Sequence, residues 1–197
     1  MSENDKIKVI LVGDAFVGKT SLIKVSIGEK FNVAQPATLS ASYIPKIFNY
    51  NEKQYTFNLW DTSGQEKYKT LTKLFFHDSR IVILVYDITN EKTFNQLDLW
   101  YKQINEILDR ETYILAIVGN KKDLFNKEKV SPEKGKQFAD DKDAKFKLSS
   151  AKEDPLDFIE FLEELFKDCI VQKKNLINNE NSKMLNRKVK KGKCCKF

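Results

Sequence analysis

The sequence has few cysteines, one histidine and no long apolar segment. With three Cys in 197 residues, a disulfide-stapled scaffold is excluded. The single histidine, His77, lacks the companions that a metal site needs. No apolar run approaches the roughly 18 residues of a membrane-spanning helix, and the first residues lack the layout of a signal peptide. We therefore expect neither a membrane-spanning nor a secreted protein.

The excess of basic residues is confined to one end of the chain. The net charge is +6, but nine Lys or Arg stand against one acid, Glu180, in residues 173–197. Residues 1–172 are nearly neutral. A nucleic-acid-binding domain usually carries its basic surface on the folded body, so a nucleic acid polymer is not expected as a partner. A basic tail on a neutral domain favours an anionic membrane surface.

Strand-like and helix-like segments alternate, which predicts an α/β fold with a mostly parallel sheet and helices on both faces. The apolar or β-branched runs expected as six strands are Ile7–Val12, Tyr43–Tyr50, Tyr55–Trp60, Ile81–Tyr86, Tyr113–Gly119 and Phe146–Leu148. Helical periodicity appears in Lys19–Ile27, Glu91–Leu108, Pro132–Ala139 and Pro155–Val171. The apolar period ends near Lys173. We expect a single domain over residues 1–172 and a flexible tail over 173–197.

A phosphate-binding loop follows the first strand. The eight residues from Gly13 to Thr20 fit the pattern G-x-x-x-x-G-K-[ST] between a strand and a helix, which predicts a P-loop NTPase domain. Backbone N–H groups of such a loop bind phosphate oxygens. Lys19 is expected to reach the β and γ phosphates, and the Thr20 hydroxyl to ligate Mg²⁺. The residues expected at the phosphates are Gly13, Asp14, Ala15, Phe16, Val17, Gly18, Lys19, Thr20 and Ser21.

Two further motifs distinguish among nucleotide-binding proteins. Asp61 ends a strand, where a carboxylate can hold Mg²⁺ through water, while Gly64 can bind the γ-phosphate and Gln65 can orient an attacking water. A buried Asp123 can accept hydrogen bonds from guanine N1–H and its 2-amino group, which adenine cannot donate. An ATP-dependent kinase is therefore disfavoured. The residues expected around the base are Asn120, Lys121, Asp123, Leu124, Ser150, Ala151 and Lys152.

In their order, GDAFVGKT, WDTSGQE, NKKD and SAK resemble the Ras superfamily of small GTPases over residues 6 to about 172. LVYDITN at 84–90 and the ending CCKF resemble its Rab branch. The resemblance implies that Phe31 flanks guanine and that Thr38 ligates Mg²⁺ and senses the γ-phosphate. It also implies an aromatic effector surface made of Tyr43, Trp60 and Phe75.

The same resemblance implies a GTP/GDP switch that regulates vesicle trafficking. Of three arginines, none lies between Phe31 and Tyr43, so intrinsic hydrolysis should be slow and a GTPase-activating protein should supply the missing charge. The other implied partners are an exchange factor, a GDP-dissociation inhibitor, effectors, and an escort protein with its prenyltransferase. Because a side chain at Ala15 can obstruct the transition state, a hydrolysis-deficient, GTP-bound scaffold stays open as the alternative.

The C-terminal cysteines fit two kinds of lipidation. As a C-a-a-X box, Cys194 alone would carry a geranylgeranyl group; as a Rab-like ending, Cys194 and Cys195 would both carry one. Two chains give stable anchoring, and the upstream basic residues add attraction to anionic lipid. We expect double prenylation and a location on the cytoplasmic face of an intracellular membrane, in exchange with the cytosol.

Overall fold

The fold is built on a six-stranded sheet. The structure is a computed structural model, and it describes residues 6–36, 38, 41–62 and 75–172. The strand order is β2-β3-β1-β4-β5-β6, with β2 antiparallel to β3 and every other neighbour parallel. The predicted α/β class and mostly parallel sheet are confirmed. The strands are β1 Lys6–Val12, β2 Ser42–Tyr50, β3 Lys53–Asp61, β4 Ser79–Asp87, β5 Ile114–Asn120 and β6 Lys145–Leu148.

Helices cover both faces of this sheet. They are α1 Lys19–Ser26, α2 Glu91–Asn95, α3 Leu97–Asn105, α4 Pro132–Asp140 and α5 over 155–172, with short 3₁₀ helices at Arg110–Thr112 and Lys122–Lys127. Ser131 caps α4, and Pro132 follows at the first helical position. The Asp154 carboxylate accepts the Asp157 amide at 3.3 Å, so the predicted cap before Pro155 is confirmed.

Two apolar cores lie on opposite faces of the sheet because successive strand residues point to opposite sides. Along β1, Val9 and Leu11 belong to the core under α1 and α5, and Ile10 and Val12 to the core under α2, α3 and α4. Nearly every β1 and β4 residue is buried, as expected of strands covered on both faces.

The helix predicted over Glu91–Leu108 is wrong as a single element. The structure has α2 and α3, separated at Gln96, and α3 ends at Asn105. In α2 the Thr93 hydroxyl accepts the Asp87 amide at 3.0 Å and donates to the Asn90 carbonyl at 2.8 Å. These bonds fix the short helix to the end of β4. The break is not marked by a glycine or a proline, and Gln96 itself keeps helical backbone angles. The sequence pattern therefore gave no sign of it.

The candidate site lies where the parallel strands end. The P-loop follows β1, Thr62 follows β3 and Lys121 follows β5, so all three come to one edge of the sheet. Ligands of open α/β sheets bind at this edge. Within the described ranges, no helix is long and apolar enough to cross a membrane.

Candidate guanine-nucleotide site

The P-loop turns through backbone conformations that two glycines make possible. Gly13 has φ 148° and Gly18 has φ 98°. A Cβ at Gly13 would lie 2.2 Å from the Val85 carbonyl oxygen, and one at Gly18 would lie 2.2 Å from the Asn120 side-chain nitrogen. Both positions therefore need glycine for space as well as for conformation.

Lys19 is buried at the start of α1, with 5% of its surface exposed. Its Nζ donates to the carbonyl oxygens of Gly13 at 2.8 Å and Asp14 at 2.9 Å. Burial lowers the pKa of Lys19 to about 8, although the charges of Asp61 and Asp14 act to raise it. A buried cation whose hydrogen-bond acceptors in the described part of the chain are two carbonyls gains strongly from an anion, so its position suits a phosphate.

The three predicted metal ligands meet around one carboxylate oxygen. Asp61 Oδ2 accepts the Thr20 hydroxyl at 2.7 Å and the Thr38 hydroxyl at 3.2 Å, and the two hydroxyl oxygens are 2.8 Å apart. Asp61 Oδ1 is buried with no hydrogen-bond partner in the described part of the chain. Burial raises the pKa of this carboxyl, against the hydrogen bonds of Thr20 and Thr38 and the charge of Lys19. A buried, under-satisfied carboxylate beside two hydroxyls is a donor set that fits Mg²⁺.

The base-side residues form one hydrogen-bonded group. Asn120 Nδ2 donates to the Val17 carbonyl at 2.8 Å, which ties β5 to the P-loop. The Ser150 hydroxyl donates to Asp123 Oδ1 at 2.7 Å and accepts the Lys152 amide at 3.2 Å. Asp123 is thereby oriented by the segment after β6. The Asp123 side chain is partly exposed to the cleft, whereas the sequence predicted a buried carboxylate.

Most of the residues predicted to bind the phosphates and the base line one cleft of about 450 Å³, which is within the range of small-molecule sites. Among the predicted nucleotide and metal residues that the structure describes, five do not line the cleft and instead hydrogen-bond to a residue that does: Gly13, Asp14, Val17, Asp61 and Ser150. The lining consists of Ala15, Phe16, Gly18, Lys19, Thr20, Ser21, Phe31, Asn32, Val33, Gln35, Pro36, Thr38, Thr62, Asn120, Lys121, Asp123, Leu124, Ala151 and Lys152.

Several site residues escaped the sequence analysis. Trp100, on α3, donates its indole N–H to Asp14 Oδ1 at 2.9 Å, and Asp87 pairs with Lys121 at 2.6 Å. No local pattern marks either contact, since each joins segments far apart in the chain. Four further residues line the cleft and could have been predicted, because they lie between Phe31 and Thr38 in the sequence: Asn32, Val33, Gln35 and Pro36.

The predicted effector aromatics also lie together. The Tyr43 and Trp60 ring centroids are 5.0 Å apart, and those of Trp60 and Phe75 are 5.8 Å apart. Tyr43 is 52% exposed. His77 is exposed and Cys169 is buried. Gly64, Gln65, Cys194 and Cys195 lie outside the described residues, so their predicted roles stay predictions.

Comparison with known proteins agrees with this geometry. The Ras family model matches residues 8–172. The Ras-related protein Rab-21 of Bos taurus is 39% identical over 161 residues, which are 82% of this chain and 70% of the relative. Rab-21 of Homo sapiens is also 39% identical, with 82% and 69% covered. The Ras-related protein SEC4 of Saccharomyces cerevisiae is 36% identical over 147 residues, 75% of this chain and 67% of the relative. The chain belongs to the Ras superfamily of small GTPases, as a member of its Rab family.

Proposed function

We propose that this protein is a switch that binds GTP and GDP with Mg²⁺, hydrolyses GTP slowly and recruits effectors to a membrane, where it regulates vesicle trafficking. The observation that carries the proposal is the convergence of Thr20, Thr38 and Asp61 beside buried Lys19. The hydrogen bond from Ser150 to Asp123 supports guanine as the base.

Thr20, Thr38 and Asp61 are the residues that would hold Mg²⁺. When bound, the ion neutralises charge on the β and γ phosphates. Lys19 supplies a fixed positive charge on the same side of the cleft, and the P-loop amides supply dipoles. Thr38 comes from the segment between α1 and β2, so its hydroxyl joins that segment to the nucleotide site. Loss of the γ-phosphate would weaken this connection and release the segment.

The described arginines support slow intrinsic hydrolysis. Arg80 donates to the Thr112 carbonyl at 3.2 Å, and Arg110 to the carbonyls of Tyr113 and Lys142 at 3.1 and 3.0 Å. Neither lines the cleft. A GTPase-activating protein would therefore supply the arginine that stabilises transition-state charge, while Gln65 positions the water.

The remaining partners follow from the switch. An exchange factor would open the site to replace GDP, and effectors would read Tyr43, Trp60 and Phe75. An escort protein would present Cys194 and Cys195 for geranylgeranylation, and a GDP-dissociation inhibitor would carry the lipids through the cytosol. The basic tail would bind the anionic cytoplasmic face of an intracellular membrane.

A second candidate is a GTP-bound scaffold that has lost hydrolysis. Ala15 lines the cleft that the nucleotide would occupy, and a side chain at this position can obstruct the transition state. The presence of Gln65 in DTSGQE favours the hydrolysing switch.

Single-turnover hydrolysis separates the two candidates. The full chain is loaded with GTP, and phosphate release is followed beside a Gln65→Leu variant. The switch predicts release on the order of 10⁻⁴ s⁻¹, with the variant at least tenfold slower. Equal, negligible release by both chains would favour the scaffold.

A further inference from the structure

Phe16 has an unfavourable backbone conformation and an exposed side chain. Its φ is 64°, in the left-handed region that bulky residues rarely adopt, and 73% of its surface is exposed. Glycine would adopt this conformation without strain. In the nucleotide-free domain, Phe16 therefore has two unfavourable contributions to the free energy of folding: the strained backbone and the apolar surface exposed to water.

The place of Phe16 in the fold indicates what could offset this cost. It lines the nucleotide cleft on the P-loop side, and Phe31, Val33 and Pro36 line the same cleft from the segment before β2. Phe31 and Val33 are also exposed, at 36% and 85%. Apolar side chains thus stand on two segments that border the phosphate and base subsites.

We propose that Phe16 is a retention residue, whose ring covers the bound guanine nucleotide together with Phe31 and Val33 and slows its release. This inference rests on the proposed function, since it needs a guanine nucleotide in the cleft. Contact with ligand and with the opposite segment removes apolar surface of the ring from water, which is favourable only in the occupied state. A contact between the Phe16 backbone amide and phosphate would not depend on the side chain.

Release of a fluorescent GDP analogue from the full chain tests this role. In Phe16→Gly and Phe16→Ala we expect release about tenfold faster, which corresponds to about 1.4 kcal/mol. Phe16→Leu, which keeps most of the apolar surface, should stay within about threefold of the unsubstituted chain. The matched control is Phe125→Ala, because Phe125 is 74% exposed and does not line the cleft. Its release rate should not change.

The two small substitutions separate a side-chain role from a backbone one. Glycine relieves the strain at φ 64°, whereas alanine retains it as phenylalanine does, so a backbone effect would change release from Phe16→Gly alone. Release from Phe16→Ala at the unsubstituted rate would overturn the proposal, because this variant lacks the ring and keeps the backbone strain. So would a change seen only when an exchange factor is added, which would make Phe16 a partner contact. A chain that binds no GDP at all would overturn the proposed function itself.

Discussion

At the scale of single residues, the site is distinguished by charged groups that are buried without full compensation. Within the described residues, the Lys19 ammonium group donates to two backbone carbonyls, and one oxygen of Asp61 has no hydrogen-bond partner. Such groups cost free energy in the domain alone, and an ionic ligand offsets that cost. The P-loop pattern made Lys19 and Thr20 predictable from sequence. The unsatisfied Asp61 oxygen was not predictable, because it depends on how three distant segments pack.

The first prediction concerns Asp61→Asn. The substitution keeps the shape of the side chain and removes its charge, so we expect Mg²⁺ affinity to fall about 10- to 100-fold. GDP release, followed with and without EDTA, reports this loss. EDTA should accelerate release from the unsubstituted chain and leave the already fast release from the variant nearly unchanged. Asp98→Asn, at an exposed carboxylate that pairs with Lys142, is the control. An EDTA response equal to that of the unsubstituted chain would exclude Asp61 from the metal site.

The second prediction concerns base recognition by Asp123. Guanine donates from N1–H and from its 2-amino group, whereas hypoxanthine lacks the amino group. The unsubstituted chain should therefore bind GDP at least about tenfold more tightly than IDP. In Asp123→Ala both affinities should fall and the preference should nearly vanish. Asp141→Ala, at an exposed carboxylate directly after α4, should keep the preference. Retention of the preference in Asp123→Ala would assign base selection to other residues.

At the scale of elements, sequence periodicity predicted all six strands in chain order, and β1, β4 and β5 gave the clearest signal because buried parallel strands are nearly continuous apolar runs. It failed at Gln96, where α2 and α3 separate without any helix-breaking residue. It also missed the contact from α3 to the P-loop, which joins residues 86 positions apart. This contact couples the helical layer to the site, since Trp100 is 2% exposed and packs in the core on that face.

The third prediction tests that coupling. Trp100→Phe keeps an aromatic ring and removes the N–H that Asp14 accepts. We expect the free energy of unfolding to fall by about 2 kcal/mol, because the lost hydrogen bond involves a charged acceptor. Denaturant unfolding of the GDP-bound chain measures the change. In a double-mutant cycle with Asp14→Ala, the two losses should be non-additive by about 1 kcal/mol. Additive losses would show that Trp100 stabilises the domain by packing alone.

At the scale of the whole molecule, a nearly neutral nucleotide domain is followed by a strongly basic tail with terminal cysteines. Charge and motif position predict a nucleotide-binding domain and a membrane-binding tail, and this division of labour stays a prediction. The tail lies outside the described residues and carries none of the nucleotide motifs, so the two parts can be tested separately. Residues 8–172 account for the match to the Ras family.

The fourth prediction concerns that division. Chains isolated from the native source should carry the mass of two geranylgeranyl groups, and vesicles containing anionic lipid should retain them. Cys194→Ser with Cys195→Ser should abolish retention while GDP release stays unchanged, because these residues are remote in sequence from every nucleotide motif. A single added lipid would favour the C-a-a-X alternative, and an unmodified mass would contradict anchoring.

The central claim is that this chain binds guanine nucleotide and hydrolyses it, and the nucleotide that co-purifies with the full chain tests it most directly. The protein is denatured, and the released nucleotide is identified by anion-exchange chromatography. Because GTP should turn over within roughly two hours at the expected rate, we predict stoichiometric GDP. Recovery of GTP would contradict hydrolysis, and recovery of an adenine nucleotide would contradict the assignment of Asp123.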